Sequence, residues 1–342
     1  MAYTTINKST DYFNTNLYVG NGTNAHAITG VGFQPDFVWL KNRDGANGHQ
    51  AFDSIRGATK ALFVNETSAE GTYSTTLQSF NSDGFTVGTS SGANTNAHKF
   101  ASWNWKANGS GSTNYNGSIN STVSANTTAG FSIVTYTGTG SAASFGHGLT
   151  SPKIIIIKDR DNSNGWYFHT TAIDGSDDYL FLNQTTAKTN AGAGYSIGTS
   201  VYNLGGGGSV SNLSGTNYVA YCFAEKKGYS KFGSYTGNGS TDGTFVYTGF
   251  KPAWVMIKRT DTSGNSWFMW DNKRATHNEM VNCLLANTYD AELTDREIDF
   301  LSNGFKTRAT DGNYNSSGGS YIYMAFASAP LVGTNNIPAT AR

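Results

Sequence analysis

An all-β fold of three tandem antiparallel β-sandwich modules is what the sequence predicts, and three observations predict it. The first is a motif written three times, as Gly32-Phe-Gln-Pro-Asp-Phe-Val-Trp-Leu-Lys-Asn-Arg-Asp44, Ser151-Pro-Lys-Ile-Ile-Ile-Ile-Lys-Asp-Arg-Asp161 and Gly249-Phe-Lys-Pro-Ala-Trp-Val-Met-Ile-Lys-Arg-Thr-Asp261. Each copy places a lysine (Lys41, Lys158, Lys258) six residues after its proline, and such self-similarity marks one structural unit used repeatedly. The second is the character of the apolar runs. They are short, rich in β-branched and aromatic residues, and bounded by Gly, Asn, Asp and Ser, which is the signature of strands rather than helices. The third is turn chemistry: 41 glycines, with Gly-Asn-Gly, Asp-Gly and Asn-Gly pairs, supply residues that tolerate positive φ in tight hairpins.

The elements follow in order. Residues 1–16 precede the first copy and are expected to form an N-terminal attachment arm. Module 1 (17–109) opens on Tyr18-Val-Gly-Asn-Gly22, passes through Gln50-Ala-Phe52 and a Gly-rich strand near Phe85, and closes on Ala101-Ser-Trp-Asn-Trp105. Residues 110–130 are almost wholly Asn, Ser, Gly, Thr and Ala, a composition that reads as a flexible linker. Module 2 (131–228) repeats the plan with Tyr136-Thr-Gly-Thr-Gly140, Trp166-Tyr-Phe168, Tyr195 and Ala220-Tyr-Cys-Phe223. Module 3 (229–329) does so with Tyr235-Thr-Gly-Asn-Gly239, Trp267-Phe-Met-Trp270, Phe305 and Tyr323-Met-Ala-Phe326, and residues 330–342 form a short tail. From proline to closing aromatic the three copies span 70, 71 and 74 residues. Glu292–Leu301 has some helical character but aligns with strand-like segments of the other copies.

Composition removes several function classes. Lys plus Arg (23) equals Asp plus Glu (23), and only 13% of residues are charged, against about 25% in an ordinary soluble protein. A neutral chain without a Lys/Arg cluster lacks the electrostatic footprint of a nucleic-acid binder. No apolar run approaches the ~20 residues of a spanning helix, so no membrane insertion is expected. The longest pure run, Ile154–Ile157, reads as a buried strand. The first residues carry no secretory pattern. Cys222 and Cys283, 61 residues apart, match no metal or disulfide spacing and read as small buried apolar residues. The low charge suggests that more surface is covered than separate modules would cover, hence a homo-oligomer.

The aromatic patches beside turns are the candidate ligand residues. Sugars stack their apolar C–H faces on aromatic rings while amides hold hydroxyls, and Asn164/Trp166 and Asn265/Trp267 supply that pairing, with Asn47 and His49 at the matching place in module 1. The competing reading puts these rings in the core, where Trp is usually found. The acidic turn Asp159-Arg-Asp161-Asn-Ser163-Asn-Gly165 resembles part of a calcium loop but lacks its closing Glu, so it reads as an Asx turn and no metal is expected. Asp53-Ser-Ile-Arg56 and Asp271-Asn-Lys-Arg274 read as salt bridges across a turn, and the three lysines as strand-end residues with their ammonium groups in water. Sparse acids, no His-x-x-x-His and no nucleophile elbow give catalysis little support, and no cofactor is expected.

The opening Tyr3-Thr-Thr-Ile-Asn-Lys-Ser-Thr-Asp-Tyr-Phe-Asn-Thr15, the Tyr-x-Gly-Asn-Gly signal, Asp53-Ser-Ile-Arg-Gly57, Ser82-Asp-Gly-Phe85 and Trp103-Asn-Trp-Lys106 resemble tail-fibre and virion-appendage proteins of marine, cyanophage-type bacteriophages. That resemblance implies tandem lectin-like sandwiches of the concanavalin-A or SPRY kind, a place in the virion and contact with the host. Module 2 departs from the pattern, with Gly148-Leu-Thr-Ser-Pro152 and no counterpart of Arg56, which marks it as a spacer if the site lies there. The expected function is a non-enzymatic virion protein joined to other virion proteins by its N-terminal arm and touching host surface polysaccharide. The alternatives are a purely architectural particle component and a polysaccharide depolymerase.

Overall fold

The computed structural model describes residues 3–206 and 210–332, so of the expected tail only 330–332 can be followed. The protein is all-β, and every pair of strands is antiparallel. Among the described residues the strands form three large and three small sheets. The first large sheet has the order Phe13–Val19, Lys99–Trp105, Phe37–Asn42, Gln50–Asp53, Lys60–Phe63, Gly71–Thr72. In each large sheet the closing aromatic strand lies between the opening strand and the Pro-to-Lys strand. The register is equivalent, with Trp105 opposite Phe37, Phe223 opposite Ile154 and Phe326 opposite Trp254.

Each large sheet packs one face on a small three-stranded sheet, which gives three lobes. Val38, Leu40, Phe85 and Phe100 fill the first of these cores; Ile155, Ile157, Tyr202 and Tyr218 fill the second; Val255, Ile257, Phe305 and Tyr321 fill the third. Successive strand residues point to opposite faces, and the alternate positions are equally apolar. Trp39, Trp103, Trp105, Ile156, Tyr221, Phe223, Trp254, Met256 and Phe326 all join one further core common to the three lobes. The large sheets are therefore buried on both faces, which is why their strands read as unbroken apolar runs.

Hydrogen bonds close the lobes into a ring. The Glu70 amide of the first lobe donates to the Arg160 carbonyl of the second at 2.7 Å. Lys188 of the second donates to Thr260 of the third, and Glu292 of the third to Arg43 of the first, each at 2.8 Å. The sparse charge has an explanation within one chain, because each lobe covers its neighbours.

The Tyr-x-Gly-x-Gly signals have a structural cause. The hydroxyls of Tyr18, Tyr136 and Tyr235 donate to the carbonyls of Ala93, Ser211 and Tyr314 at 2.6–2.7 Å. The next residue in each case is a buried asparagine (Asn94, Asn212, Asn315) whose amide ties the glycine loop. A Cβ on Gly20, Gly138 or Gly237 would come within 2.1–2.3 Å of a backbone oxygen, so only glycine fits.

Two boundaries differ from expectation. Residues 110–130 are not a free linker: Ser112–Asn114 and Ser121–Asn126 add two strands to the second large sheet, beside Phe131–Thr137. Their Ser/Thr-rich composition suits an outer strand with one wet face, so polarity alone misled. Nor do residues 3–16 project as an arm. Tyr3 donates its hydroxyl to the Gly249 carbonyl at 2.6 Å, Ile6 is buried in the common core, and Phe13 already begins a strand. These residues clasp the first lobe to the third; Met1 and Ala2 lie outside the described residues.

Candidate functional site

The six residues singled out for ligand contact occupy equivalent positions, and the structure turns the three rings inward. His49, Trp166 and Trp267 have 0%, 1% and 1% of their surface exposed. Their backbone amides are held alike, by the side-chain oxygens of Asn65, Asn183 and Asn287 at 2.7–3.0 Å. The Trp166 indole donates to the Phe63 carbonyl of the first lobe, and that of Trp267 to Phe181 of the second. His49 accepts the Trp39 indole hydrogen at its Nδ1, and burial pushes its pKa well below the ordinary range, so it is neutral at pH 7. These side chains join lobe to lobe and offer no face to a sugar. Asn47, Asn164 and Asn265 are half-buried and tie turns: Asn47 accepts from Asn42, while Asn164 donates to Asp159 and Asn265 to Thr262. The ligand reading of His49, Trp166 and Trp267 is corrected accordingly, and Asn47, Asn164 and Asn265 lose the rings they were paired with.

The Asp-x-x-Arg pairs are buried parts of two lobe junctions. Asp53 accepts from Arg56 Nε at 2.5 Å and from the Tyr221 hydroxyl of the second lobe at 2.7 Å. Arg56 also donates to Glu70, which in turn receives Arg160 of the second lobe. The same plan recurs between third and first lobes, with Asp271, Arg274, Glu292, Arg43 and the Trp103 indole. The neighbouring carboxylates hold both guanidiniums above their ordinary pKa despite the burial that opposes this. At the junction of second and third lobes the corresponding residues are Thr170, Ile173 and Met324, so no such network forms there.

The three lysines correct another expectation. Lys41, Lys158 and Lys258 are each 0% exposed, not solvated at the tip. Their ammonium groups donate to carbonyls, Lys41 to Asn47 and to Tyr289 of the third lobe, Lys158 to Asp159 and to Thr67 of the first, and Lys258 to Arg259. Burial lowers each pKa from 10.5 to about 8. Between those values the unfolded chain binds more protons than the folded one, so stability rises with pH. The buried Cys222 and Cys283 thiols, pushed up to about 12, oppose this once the unfolded thiols ionise at about pH 9, and buried tyrosines above about pH 10. Both are shared with a lysine variant and cancel in a comparison with it. The denaturation midpoint of the native protein is therefore expected to climb from pH 8 to pH 9.5 relative to that of a Lys158→Met variant. An unchanged difference between the two would contradict it. The turn beside Lys158 is an Asx turn, in which Asp159 accepts from the Asp161 and Asn162 amides.

What sequence reasoning missed is a pocket in the second lobe, which had been marked as a spacer. A cavity of about 180 Å³ is lined by Tyr167, His169, Tyr179, Ala191, Tyr195, Val210 and Ser211. That is the space of about six water molecules at ~30 Å³ each. The strand Trp166–Thr170 carries its floor, and Tyr179 lies across the sheet from His169. In the other lobes the position of His169 belongs to Phe52 and Trp270, both wholly buried core rings. In the second lobe it is a histidine 2% exposed, with neither ring nitrogen hydrogen-bonded. Its Nδ1 stands 3.6 Å from Asp177, whose buried carboxylate faces the Tyr202 hydroxyl. Burial pushes the Tyr167 phenol up to about 12, so it stays a neutral donor and acceptor. Buried polar groups without partners mark a place where water or a ligand completes the bonding. The signal was present in the repeat alignment, as a titratable residue replacing an aromatic core residue in one copy of three.

Comparison with known proteins gives one match. Residues 8–330 fit the family described as Domain of unknown function (DUF7483). No curated protein and no solved structure matches the chain.

Proposed function

The chain belongs to the DUF7483 family, whose description assigns no activity, and from its site we propose that it is a non-enzymatic virion protein of a bacteriophage, an appendage adhesin that contacts saccharide through the second-lobe pocket. The virion placement is supported by the resemblance of its opening, Tyr-x-Gly and Trp-Asn-Trp motifs to phage appendage proteins. Attachment to the particle uses a surface other than a free N-terminal arm, because residues 3–16 run from a clasp on the third lobe into the opening strand of the first.

The observation that carries the binding reading is His169. Tyrosine rings at Tyr167, Tyr179 and Tyr195 offer the flat apolar walls a pyranose needs, while His169 has ring nitrogens free for a hydroxyl partner. Binding is favoured over hydrolysis because Lys188 holds Asp178 at 2.7 Å, leaving Asp177 as the carboxylate beside the histidine, whereas glycosidic cleavage takes two.

Saturation-transfer NMR against glucose, galactose, mannose and their N-acetyl hexosamines tests it. At least one of these is expected to bind, with affinity falling tenfold or more in His169→Phe, which installs the residue of the first lobe. Silence across the panel and a glycan array would favour the architectural reading, and reducing ends released from host polysaccharide would favour the depolymerase.

A further inference from the structure

Each lobe has a groove between the opening strand of its large sheet and the first strand of its small sheet, and the chain treats the three differently. In the first lobe two asparagines lace it shut: Asn14 donates to the Val31 carbonyl at 3.0 Å and Asn16 to Thr29 at 2.9 Å. In the second lobe the chain fills it with its own residues 112–126. Ser121–Asn126 pairs with Phe131–Thr137, and Gly117 and Ile119 bridge to Phe145 of the small sheet. In the third lobe the tie is confined to one end, where Thr244 donates its hydroxyl to the Thr236 carbonyl at 2.9 Å. The register sets Phe13, Phe131 and Ser230 opposite Trp105, Phe223 and Phe326, so Lys231 and Gly233 stand where Asn14 and Asn16 stand. Glycine has no side chain with which to lace the groove.

What remains is a cavity of about 440 Å³ between Ser230–Thr236 and Phe245–Tyr247, each an edge strand of its sheet, with Lys153, Thr171 and Ala172 of the second lobe along one side. Phe245 and Tyr247 are 43% and 48% exposed along its rim. Unpaired strand edges are templates for another strand. We propose that this groove accepts one extended β-strand from another protein chain, seated as Ser121–Asn126 is seated in the second lobe. Its chemistry follows from that precedent and from the walls: small apolar and hydroxyl side chains in alternation, with an acidic side chain opposite Lys231, whose ammonium now lies 5.4 Å from the Tyr247 ring centre. Glu225 already takes the Phe232 amide at 2.8 Å, so the backbone ladder runs from Gly233 onward and the residue opposite Lys231 reaches the ammonium by its side chain alone. Backbone pairing supplies the affinity and the alternate side chains the selectivity.

The test uses the intact protein and a fluorescent synthetic peptide of its own residues 112–126. A second peptide carries Ala125→Asp, since Ala125 pairs with Ser132, the counterpart of Lys231. Both are expected to bind by anisotropy, the acidic one several-fold tighter at low salt, and Ser234→Pro is expected to weaken binding at least tenfold. Should Ser234→Pro fold poorly, Phe245→Ser with Tyr247→Ser gives the same reading from exposed positions. Failure of both peptides to bind at about 1 mM, or binding that survives in the folded variants, overturns the proposal. Neither outcome bears on the second-lobe pocket, which stands apart from this groove.

Discussion

Arg56→Ile is expected to destabilise the chain by about 3–5 kcal/mol, the usual cost of removing one member of a buried ion pair. Arg56 and Asp53 have side chains with no exposed surface, and among the described residues Arg56 is the one cation paired with Asp53. Its loss leaves a buried carboxylate with only the Tyr221 hydroxyl and two backbone amides, and removes one of the two arginines from Glu70. The third junction provides the control, because Thr170, Ile173 and Met324 close it without these charges. Transplanting that set as Asp53→Thr, Arg56→Ile and Tyr221→Met, which leaves Glu70 paired with Arg160, is expected to recover most of the loss. Replacing a whole buried network by packed apolar groups is often neutral, whereas breaking it is not. Chemical denaturation of the single and combined variants reads this directly. Equal destabilisation by both would show that the charges hold the junction by themselves.

Trp105→Ala is expected to cost about 3–5 kcal/mol and to lower the melting of the entire molecule. Its ring packs against Phe13 and Phe37 of the first lobe, Phe131 and Phe223 of the second, and Trp254 and Phe326 of the third. The indole nitrogen makes no hydrogen bond, so the loss is one of packing. Independent modules would give a calorimetric trace in which one transition moves and others stay. A core shared by three lobes requires one transition, shifted as a whole. A trace that splits in the variant, with part of it at the native temperature, would refute the shared core.

Much of the strand pattern was legible because repetition and turn chemistry act locally. The Pro-to-Lys runs, the closing aromatics and the glycine loops are strands and hairpins where the sequence places them. The closure of the lobes was not legible, for a physical reason. A strand with apolar residues at every position, such as Ile154–Ile157, announces burial on two faces but not what covers the second. Trp166 and Trp267 were read as ligand residues because an aromatic beside a turn looks exposed in one dimension; the neighbouring lobe that buries it comes from residues about 100 positions away. The lysines failed in the same way, since the carbonyls that take Lys41 and Lys158 include Tyr289 and Thr67 of other lobes. The pocket was legible in principle, as a single polar departure from a threefold pattern, but only after the register had equated His169 with Phe52 and Trp270.

The clasp of the first residues on the third lobe bears on how the molecule would carry tension. Thr4 and Pro330, far apart in sequence, both lie against Gly228. A pull along the polypeptide therefore enters and leaves the body at one spot. The three lobes hang to the side of that line as a pendant, where a string of separate sandwiches would have borne the force in series.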